Sequence, residues 1–310
     1  MSSVDSLPQK VQRALEVAGS TRPFPYFVID SVLDYDEYLA LVHSFPDELL
    51  GDLETEGFSS FRITDASCIP ETVSANWKLF LAELLSPDFK KRLINSCLSE
   101  TVRRYPRIWR WMIYFRLRNP RNYEVRVAIS GSLAGRYLPP HTDKSYKVLA
   151  LVFYFAPTNW MSESEGTRFY AARSRKLLRE SIRRFSKLRH SRILRNTPMA
   201  LLPMMSCAIH SHSGSLNSER DYANEAWFSE NFAVTFNAAF EPNKIAGFVK
   251  TNNSFHALDM RGSRYPDIRR SVLINLNLRH SLFAKAWQFL EYRLKRQVQS
   301  KSSPQSSSHQ

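Results

Sequence analysis

The chain is poor in cysteine: its 310 residues include only Cys68, Cys97 and Cys207, which lie far apart and form no CxxC pair. This spacing argues against a disulfide framework and fits a reducing compartment, so we expect a cytoplasmic protein. Long apolar runs are also missing, since the longest, Val148 to Ala156, has nine residues. A membrane-spanning helix needs roughly 20. The N-terminus carries no apolar segment of the secretory type, and we therefore expect neither a signal peptide nor a transmembrane segment.

The overall composition is typical of a globular protein, but the charge is unevenly distributed along the sequence. Hydrophobic residues make up 43% of the chain and aromatics 13%, which is typical of a protein that buries a core. The formal net charge is +14, and most of the excess lies in residues 168–195, where eleven Lys and Arg face one acid, Glu180. The basic character therefore belongs to one segment. Within it, Leu178, Ile182 and Phe185 form an apolar stripe that indicates a helix.

Helical patterns come first along the chain and strand patterns later. Residues 74–104 carry Trp77, Phe80 and Leu84 at helical spacing, whereas we interpret the aromatics around Trp111 as core. From residue 125, turn residues separate short apolar runs, as in a β-rich fold. Together these patterns predict an α+β protein in which helices pack on a β-sandwich or barrel. The predicted strands are 125–129, 148–155, 167–171, 232–240, 245–249 and 270–276.

The predicted organisation is a single domain over residues 1–298. Residues 22–124 would form an N-terminal strand and helix support, and residues 125–280 the β core. The basic, helix-like stretch and the irregular sequence after it form a long insertion at 172–230. Residues 299–310 are low in complexity, which predicts a disordered tail.

The sharpest local motif is LPPHTDK at residues 138–144. Side chains alternate along a strand, so His141 and Asp143 point to the same side. An imidazole and a carboxylate placed in this way can chelate a metal, and His256 is the natural third ligand. Two histidines and one carboxylate form the facial triad of non-haem Fe(II) oxygenases. The HxD motif alone is weak, because a His and an Asp that are hydrogen-bonded near a turn have the same spacing.

The order of the motifs resembles that in the 2-oxoglutarate/Fe(II)-dependent dioxygenases, especially their prolyl-hydroxylase-like branch. The matching parts are the HxD motif, the distal His256, and the sequence Arg269-Arg270-Ser271 further on. The opening PFPYFVIDSVLDYDEYLALVHSFP is also similar to the strand and helix that begin many members. The resemblance covers 22–50 and 125–280. One departure is the spacing of 113 positions between Asp143 and His256, which is longer than in many relatives because of the basic insertion.

The resemblance implies a double-stranded β-helix (jelly-roll) core and an Fe(II) ion on His141, Asp143 and His256. It also implies that 2-oxoglutarate and O2 are cosubstrates, that ascorbate is a candidate reductant, and that the reaction hydroxylates a substrate. A prolyl target is the default at the level of the family, and the sequence itself does not identify the substrate.

An arginine is implied as the anchor of the far carboxylate of 2-oxoglutarate, through paired charge-assisted hydrogen bonds. On a strand Arg269 and Ser271 share a face, which favours Arg269 with Ser271 as a further donor. Arg270 stays open as an alternative, because its own face is also apolar. Tyr137 and Tyr154 stand near positions where relatives contact the cosubstrate, although both fit equally well as ordinary core aromatics.

A non-enzymatic function is the competing hypothesis. A jelly-roll binding protein could use 168–195 to bind nucleic acid or an anionic membrane, and the same segment could recruit an anionic substrate or be a solvated surface helix. Such a protein would not need His141, Asp143, His256 and Arg269 together. Their joint presence favours the enzyme.

Overall fold

The computed structural model describes most of the chain outside the predicted insertion and tail. The basic insertion falls mainly in 175–227 and the predicted disordered tail in 299–310, so both lie outside the described residues. The described residues are 6–18, 24–103, 110–141, 143, 147–174, 228–250 and 254–279.

The N-terminal part of the chain is mainly helical. Ser74 caps the helix Ala75–Leu85 (α4) with its hydroxyl, which accepts a hydrogen bond from the backbone N–H of Trp77. The buried Trp77 indole in turn donates to the carbonyl oxygen of Leu41, in the helix Tyr35–His43 (α2), at 2.9 Å. Helical spacing therefore places one apolar face of α4 in the core, as predicted. The helices are α1 (Leu7–Ala18), α2 (Tyr35–His43), α3 (Leu53–Glu56), α4 (Ala75–Leu85), α5 (Pro87–Arg103) and α6 (Arg110–Leu117).

The strands form two antiparallel sheets. The strands are β1 (Tyr26–Ile29), β2 (Phe58–Ile63), β3 (Tyr123–Ser132), β4 (Tyr137–His141), β5 (Lys147–Tyr154), β6 (Ser162–Ala172), β7 (Phe232–Phe240), β8 (Lys244–Val249), β9 (Phe255–Asp259) and β10 (Arg269–Leu278). The larger sheet has the order β1-β8-β5-β10-β3-β2, and the smaller one β4-β9-β6-β7.

The larger sheet lies between the helices and the smaller sheet. Along β5, Leu151 and Phe153 belong to the core shared with the helices, whereas Ala150 and Tyr154 belong to the core between the sheets. Burial on both faces explains why β5 is a continuous apolar run instead of an alternating one. The predicted α+β arrangement with antiparallel sheets is confirmed, and it is consistent with a jelly roll. None of the helices in the described ranges is long and apolar enough to span a bilayer.

Two features differ from the sequence analysis. Strand β2, with the sequence FSSFRI, was not predicted, because its polar residues give it no clear period of two; it forms by pairing with β3. The interpretation of Trp111 as core is wrong, since this residue on α6 is 67% exposed.

Strand β6 passes very close to β7 at Gly166. A Cβ atom built there would overlap the carbonyl oxygen of Ala238 and lie 2.9 Å from its carbonyl carbon. We expect Gly166→Ala to lower the free energy of unfolding by about 1–3 kcal/mol, as overpacked cores do. Gly262→Ala is the matched control, because a Cβ there would meet nothing within 4 Å. Chemical denaturation measures both, and equal stability of the two variants would contradict this account of β6.

Candidate metal centre

The three predicted metal ligands meet at one end of β4 and β9. These strands pair in an antiparallel register that sets His141 directly opposite His256. The two rings have centroids 4.3 Å apart, and Asp143 follows β4 by two residues. One ligand atom from each of the three side chains lies within 4.8 Å of the other two. Strand pairing thus brings together residues that are more than one hundred positions apart in sequence.

Only one oxygen of the Asp143 carboxylate accepts a hydrogen bond among the described residues. Lys147 Nζ donates to Oδ1 at 2.8 Å, whereas the buried Oδ2 has no hydrogen-bond partner among the described residues. This Oδ2 lies 3.9 Å from Nε2 of His256. Burial alone would raise the pKa of Asp143, but the charge and hydrogen bond of Lys147 hold it well below its usual range. The side chain is therefore an anion at neutral pH.

His256 is held in the form that binds metals. Its Nδ1 lies 3.1 Å from the carbonyl oxygen of Ser254, and burial, together with His141, lowers its pKa to about 3. The neutral ring therefore carries its proton on Nδ1 and directs the lone pair of Nε2 toward Asp143. A hydrogen bond from the second ring nitrogen to a carbonyl is the usual way in which a metal-binding histidine is oriented.

These residues fit a divalent transition metal. A buried carboxylate oxygen without a partner is costly, and a cation between Oδ2 and the imidazole nitrogens would satisfy it. Two imidazoles and one carboxylate are the donor set of a facial triad, which suits Fe(II) and leaves other coordination positions for ligands.

The pKa of His256 predicts how the stability of the metal-free protein depends on pH. Below about 6.5 the unfolded chain binds a proton at this residue, whereas the folded protein does so only near pH 3. Stability should therefore fall as the pH drops from 6.5 to about 4, with a slope approaching one proton. We expect His256→Gln to flatten this slope, as measured by urea unfolding with a chelator present. The same slope in both proteins would contradict a buried neutral His256.

A buried arginine lies between the two sheets. Arg269 is 4% exposed, and its Nε donates to the backbone carbonyl of Glu165 at 2.5 Å. As the strand alternation predicts, it shares a face with Ser271, whose hydroxyl accepts from Nη1 at 3.4 Å. Burial lowers the pKa of this guanidinium, although an arginine stays charged. Among the described residues, no carboxylate forms an ion pair with Arg269.

The neighbouring Arg270 points the other way, toward the helices. Its guanidinium forms ion pairs with Asp47 and with Asp267, both at 2.9 Å. Burial opposes the charge, but Asp47 and then Asp267 raise the pKa of Arg270 above its ordinary value. Both carboxylates are thus already satisfied by this arginine, and of the two arginines only Arg269 faces the space between the sheets.

The two predicted cosubstrate tyrosines lie in different places. Tyr154 is fully buried near Arg269, whose guanidinium carbon lies 5.1 Å from the centre of its ring. Its hydroxyl donates to Thr167 at 2.7 Å. Tyr137 lies under Arg261, whose guanidinium carbon is 3.7 Å from the ring centre. The geometry thus places Tyr154, but not Tyr137, beside Arg269, and a cosubstrate role for either tyrosine stays a prediction.

The sequence analysis missed two polar residues of this region. Lys147 stands four positions after Asp143, but nothing in the sequence distinguishes it from a surface lysine at the start of a strand. Glu165 is fully buried, and its Oε1 accepts hydrogen bonds from Ser164 and Ser263. Its position just before the predicted strand 167–171 gave no sign of burial, because a glutamate is usually exposed.

Comparison with known proteins gives structural neighbours alone: no protein-family model matches the chain, and no curated protein does. Among the solved structures that it resembles are prolyl hydroxylases and a 2-oxoglutarate/Fe(II) oxygenase. A prolyl-4-hydroxylase from Pseudomonas putida is 8% identical, with 87% of this chain and 99% of that chain covered and a TM-score of 0.40. HygX from Streptomyces hygroscopicus, solved with nickel, 2-oxoglutarate and hygromycin B, is 14% identical, with 86% and 85% covered and a TM-score of 0.38.

Proposed function

We propose that this chain is a non-haem Fe(II) oxygenase that couples the oxidative decarboxylation of 2-oxoglutarate to the hydroxylation of a substrate C–H bond. The observation that carries the proposal is the buried set of His141, Asp143 and His256, with the Asp143 Oδ2 unpartnered. In the balanced reaction, 2-oxoglutarate, O2 and the substrate give succinate, CO2 and the hydroxylated product. Fe(II) on these ligands would supply the means of activating O2.

The residues of the chain have separate tasks in this proposal. His141, Asp143 and His256 hold the metal, and Lys147 orients the carboxylate by occupying its Oδ1. Arg269, with Ser271 beside it, anchors the far carboxylate of 2-oxoglutarate, because a buried guanidinium without an ion pair matches a carboxylate. The apolar core between the sheets keeps bulk water away from the reacting groups.

The test measures whether the purified chain binds and converts 2-oxoglutarate only when the metal is present. With Ni(II) as an air-stable substitute for Fe(II), calorimetry should detect 2-oxoglutarate binding that disappears when the metal is omitted. With Fe(II) and ascorbate, the wild type should form succinate slowly without added substrate, and His141→Ala should not. If the wild type neither binds 2-oxoglutarate with Ni(II) nor forms succinate with Fe(II), the proposal is wrong.

The non-enzymatic alternative is less well supported. Its binding segment, 168–195, lies outside the described residues beyond position 174, and the described Arg168 is already paired with Asp259 at 3.2 Å. Binding of nucleic acid or membrane by the basic segment would also leave the unpartnered oxygen of Asp143 unexplained. Binding of nucleic acid or anionic vesicles that falls with salt and is indifferent to metal would favour this alternative.

A further inference from the structure

Two phenylalanines lie level with the metal-ligand histidines across the smaller sheet. His141 on β4 is opposite His256 on β9. Phe169 on β6 is opposite His256, and Phe236 on β7 is opposite Phe169. Directly opposed residues point to the same face of a sheet, so all four side chains face the space between the sheets. Since neighbouring strands are about 4.8 Å apart, the backbones of His256 and Phe236 are separated by about 10 Å.

The space between the sheets opens to solvent at Phe236. Along the inward face of β7, Phe240 and Ala238 are fully buried, whereas Phe236 is 36% exposed. The register of β6 and β7 shifts just beyond this point, and Thr235 is the extra residue. Its hydroxyl donates to the carbonyl oxygen of Phe169 at 3.1 Å. Such bulges are common beside active sites, and this one lies two strands from a candidate metal ligand.

Three near-parallel rings border the opening. Tyr26, on β1 of the larger sheet, stacks on Phe169 with centroids 5.1 Å apart and on Phe236 with centroids 5.3 Å apart, at interplanar angles of 16° and 22°. Phe169 also contacts Phe248 at 5.8 Å, and the ring of Phe248 lies 4.5 Å from that of His256. The aromatic surface formed by Tyr26, Phe169 and Phe236 is therefore continuous with the candidate metal centre.

The arrangement of the aromatic surface indicates which chemical group it fits. Offset stacking is a favoured arrangement of aromatic faces, so a set of parallel rings extends readily by one more flat ring. Cations are typically recognised by aromatic cages, in which rings surround the charge, and three parallel rings do not form a cage. Core packing accounts for the buried Phe169, but it does not explain why Phe236 is left partly exposed beside a candidate active site.

We infer that the aromatic surface binds the substrate of the proposed reaction, and that this substrate carries an uncharged aromatic ring. The inference rests on the proposed function, because it names the substrate class of that oxygenase. The ring stacks at Phe236 and presents a C–H bond of an attached group toward the candidate metal centre. Phe236 is then a specificity-determining residue that holds neither the metal nor 2-oxoglutarate.

The test compares two neutral probes of similar size, 2-naphthol and its saturated analogue decahydro-2-naphthol. In an NMR titration of the full-length protein loaded with Zn(II) and 2-oxoglutarate, we expect 2-naphthol to bind about 2- to 12-fold more tightly, as an aromatic contact adds to simple burial. Phe236→Leu keeps an apolar side chain but removes the ring, and it should abolish this preference. Replacing Zn(II) by paramagnetic Mn(II) should broaden the signals of bound 2-naphthol, because the ring binds near the metal.

Phe232→Leu is the matched control. Phe232 lies on the same strand, and its ring stacks on Phe228 with centroids 4.1 Å apart. It belongs to a separate cluster with Phe255, which is adjacent to His256 in β9 and therefore on the opposite face of the sheet. Because Phe232 is only 3% exposed, we expect this variant to lose more stability than Phe236→Leu and yet to keep the preference for 2-naphthol.

The outcomes separate this inference from the proposed function. Equal affinity for the two probes, an unchanged preference in Phe236→Leu, or binding of 2-naphthol without broadening by Mn(II) overturns the inference and leaves the proposed function standing. Displacement of 2-naphthol by tetramethylammonium also overturns it, since it identifies a cation site. If the wild type neither binds nor converts 2-oxoglutarate, the proposed function fails and the inference fails with it.

Discussion

Asp143→Asn should lower the affinity for Ni(II) or Fe(II) at least about 100-fold and abolish succinate formation. The substitution keeps the shape of the side chain but replaces an anion with a neutral amide. The group that faces His256 is then either a weak carbonyl donor or an N–H that repels a cation. Because loss of a residue that only orients a ligand costs 10- to 100-fold in metal affinity, loss of the ligand itself should cost more.

The measurement is calorimetric titration of the metal-free protein with Ni(II), followed by the succinate assay with Fe(II). Asp259→Asn is the matched control: Asp259 lies on β9 close to His256, but its carboxylate pairs with Arg168 and Arg261. This control should bind Ni(II) like the wild type. Wild-type metal affinity in Asp143→Asn would remove Asp143 from the metal centre, whereas weakened binding in the control would indicate damage to β9.

The residues of the candidate metal centre could be predicted largely from local sequence, because two of them follow the alternation of one strand. His141 and Asp143 needed only the HxD spacing. His256 was assigned through the order of the motifs, and its position follows from the pairing of β4 with β9. That pairing joins segments separated by a long insertion, and the sequence contains no local signal of such a register.

Residues whose importance depends on their neighbours in the folded protein could not be predicted from local sequence. Lys147 and Glu165 have ordinary sequence surroundings, and they become informative only once Asp143 and Arg269 are buried beside them. The choice between Arg269 and Arg270 was open for the same reason. Alternation says that they face opposite sides of β10, but the carboxylate that pairs with Arg270 belongs to Asp47, more than two hundred residues away in sequence.

The two adjacent arginines provide the other large expected effect. We expect Arg269→Gln to weaken 2-oxoglutarate binding to the Ni(II)-loaded protein about 30-fold or more, since removing one member of a buried, hydrogen-bonded charge pair costs at least about 2 kcal/mol and often far more. Its affinity for Ni(II) should remain, because Arg269 contacts none of His141, Asp143 or His256 through the hydrogen bonds described for it.

Arg270→Gln makes the same chemical change one residue away and should have the opposite consequences. It breaks the ion pairs with Asp47 and Asp267, whose side chains are 41% and 49% exposed, so a loss of about 1 kcal/mol in stability is expected. Binding of 2-oxoglutarate should stay at the wild-type level. Calorimetry and thermal unfolding of both variants decide the assignment. If Arg270→Gln loses the cosubstrate and Arg269→Gln keeps it, the anchor lies on the helix side of β10, and the space between the sheets is not the cosubstrate pocket.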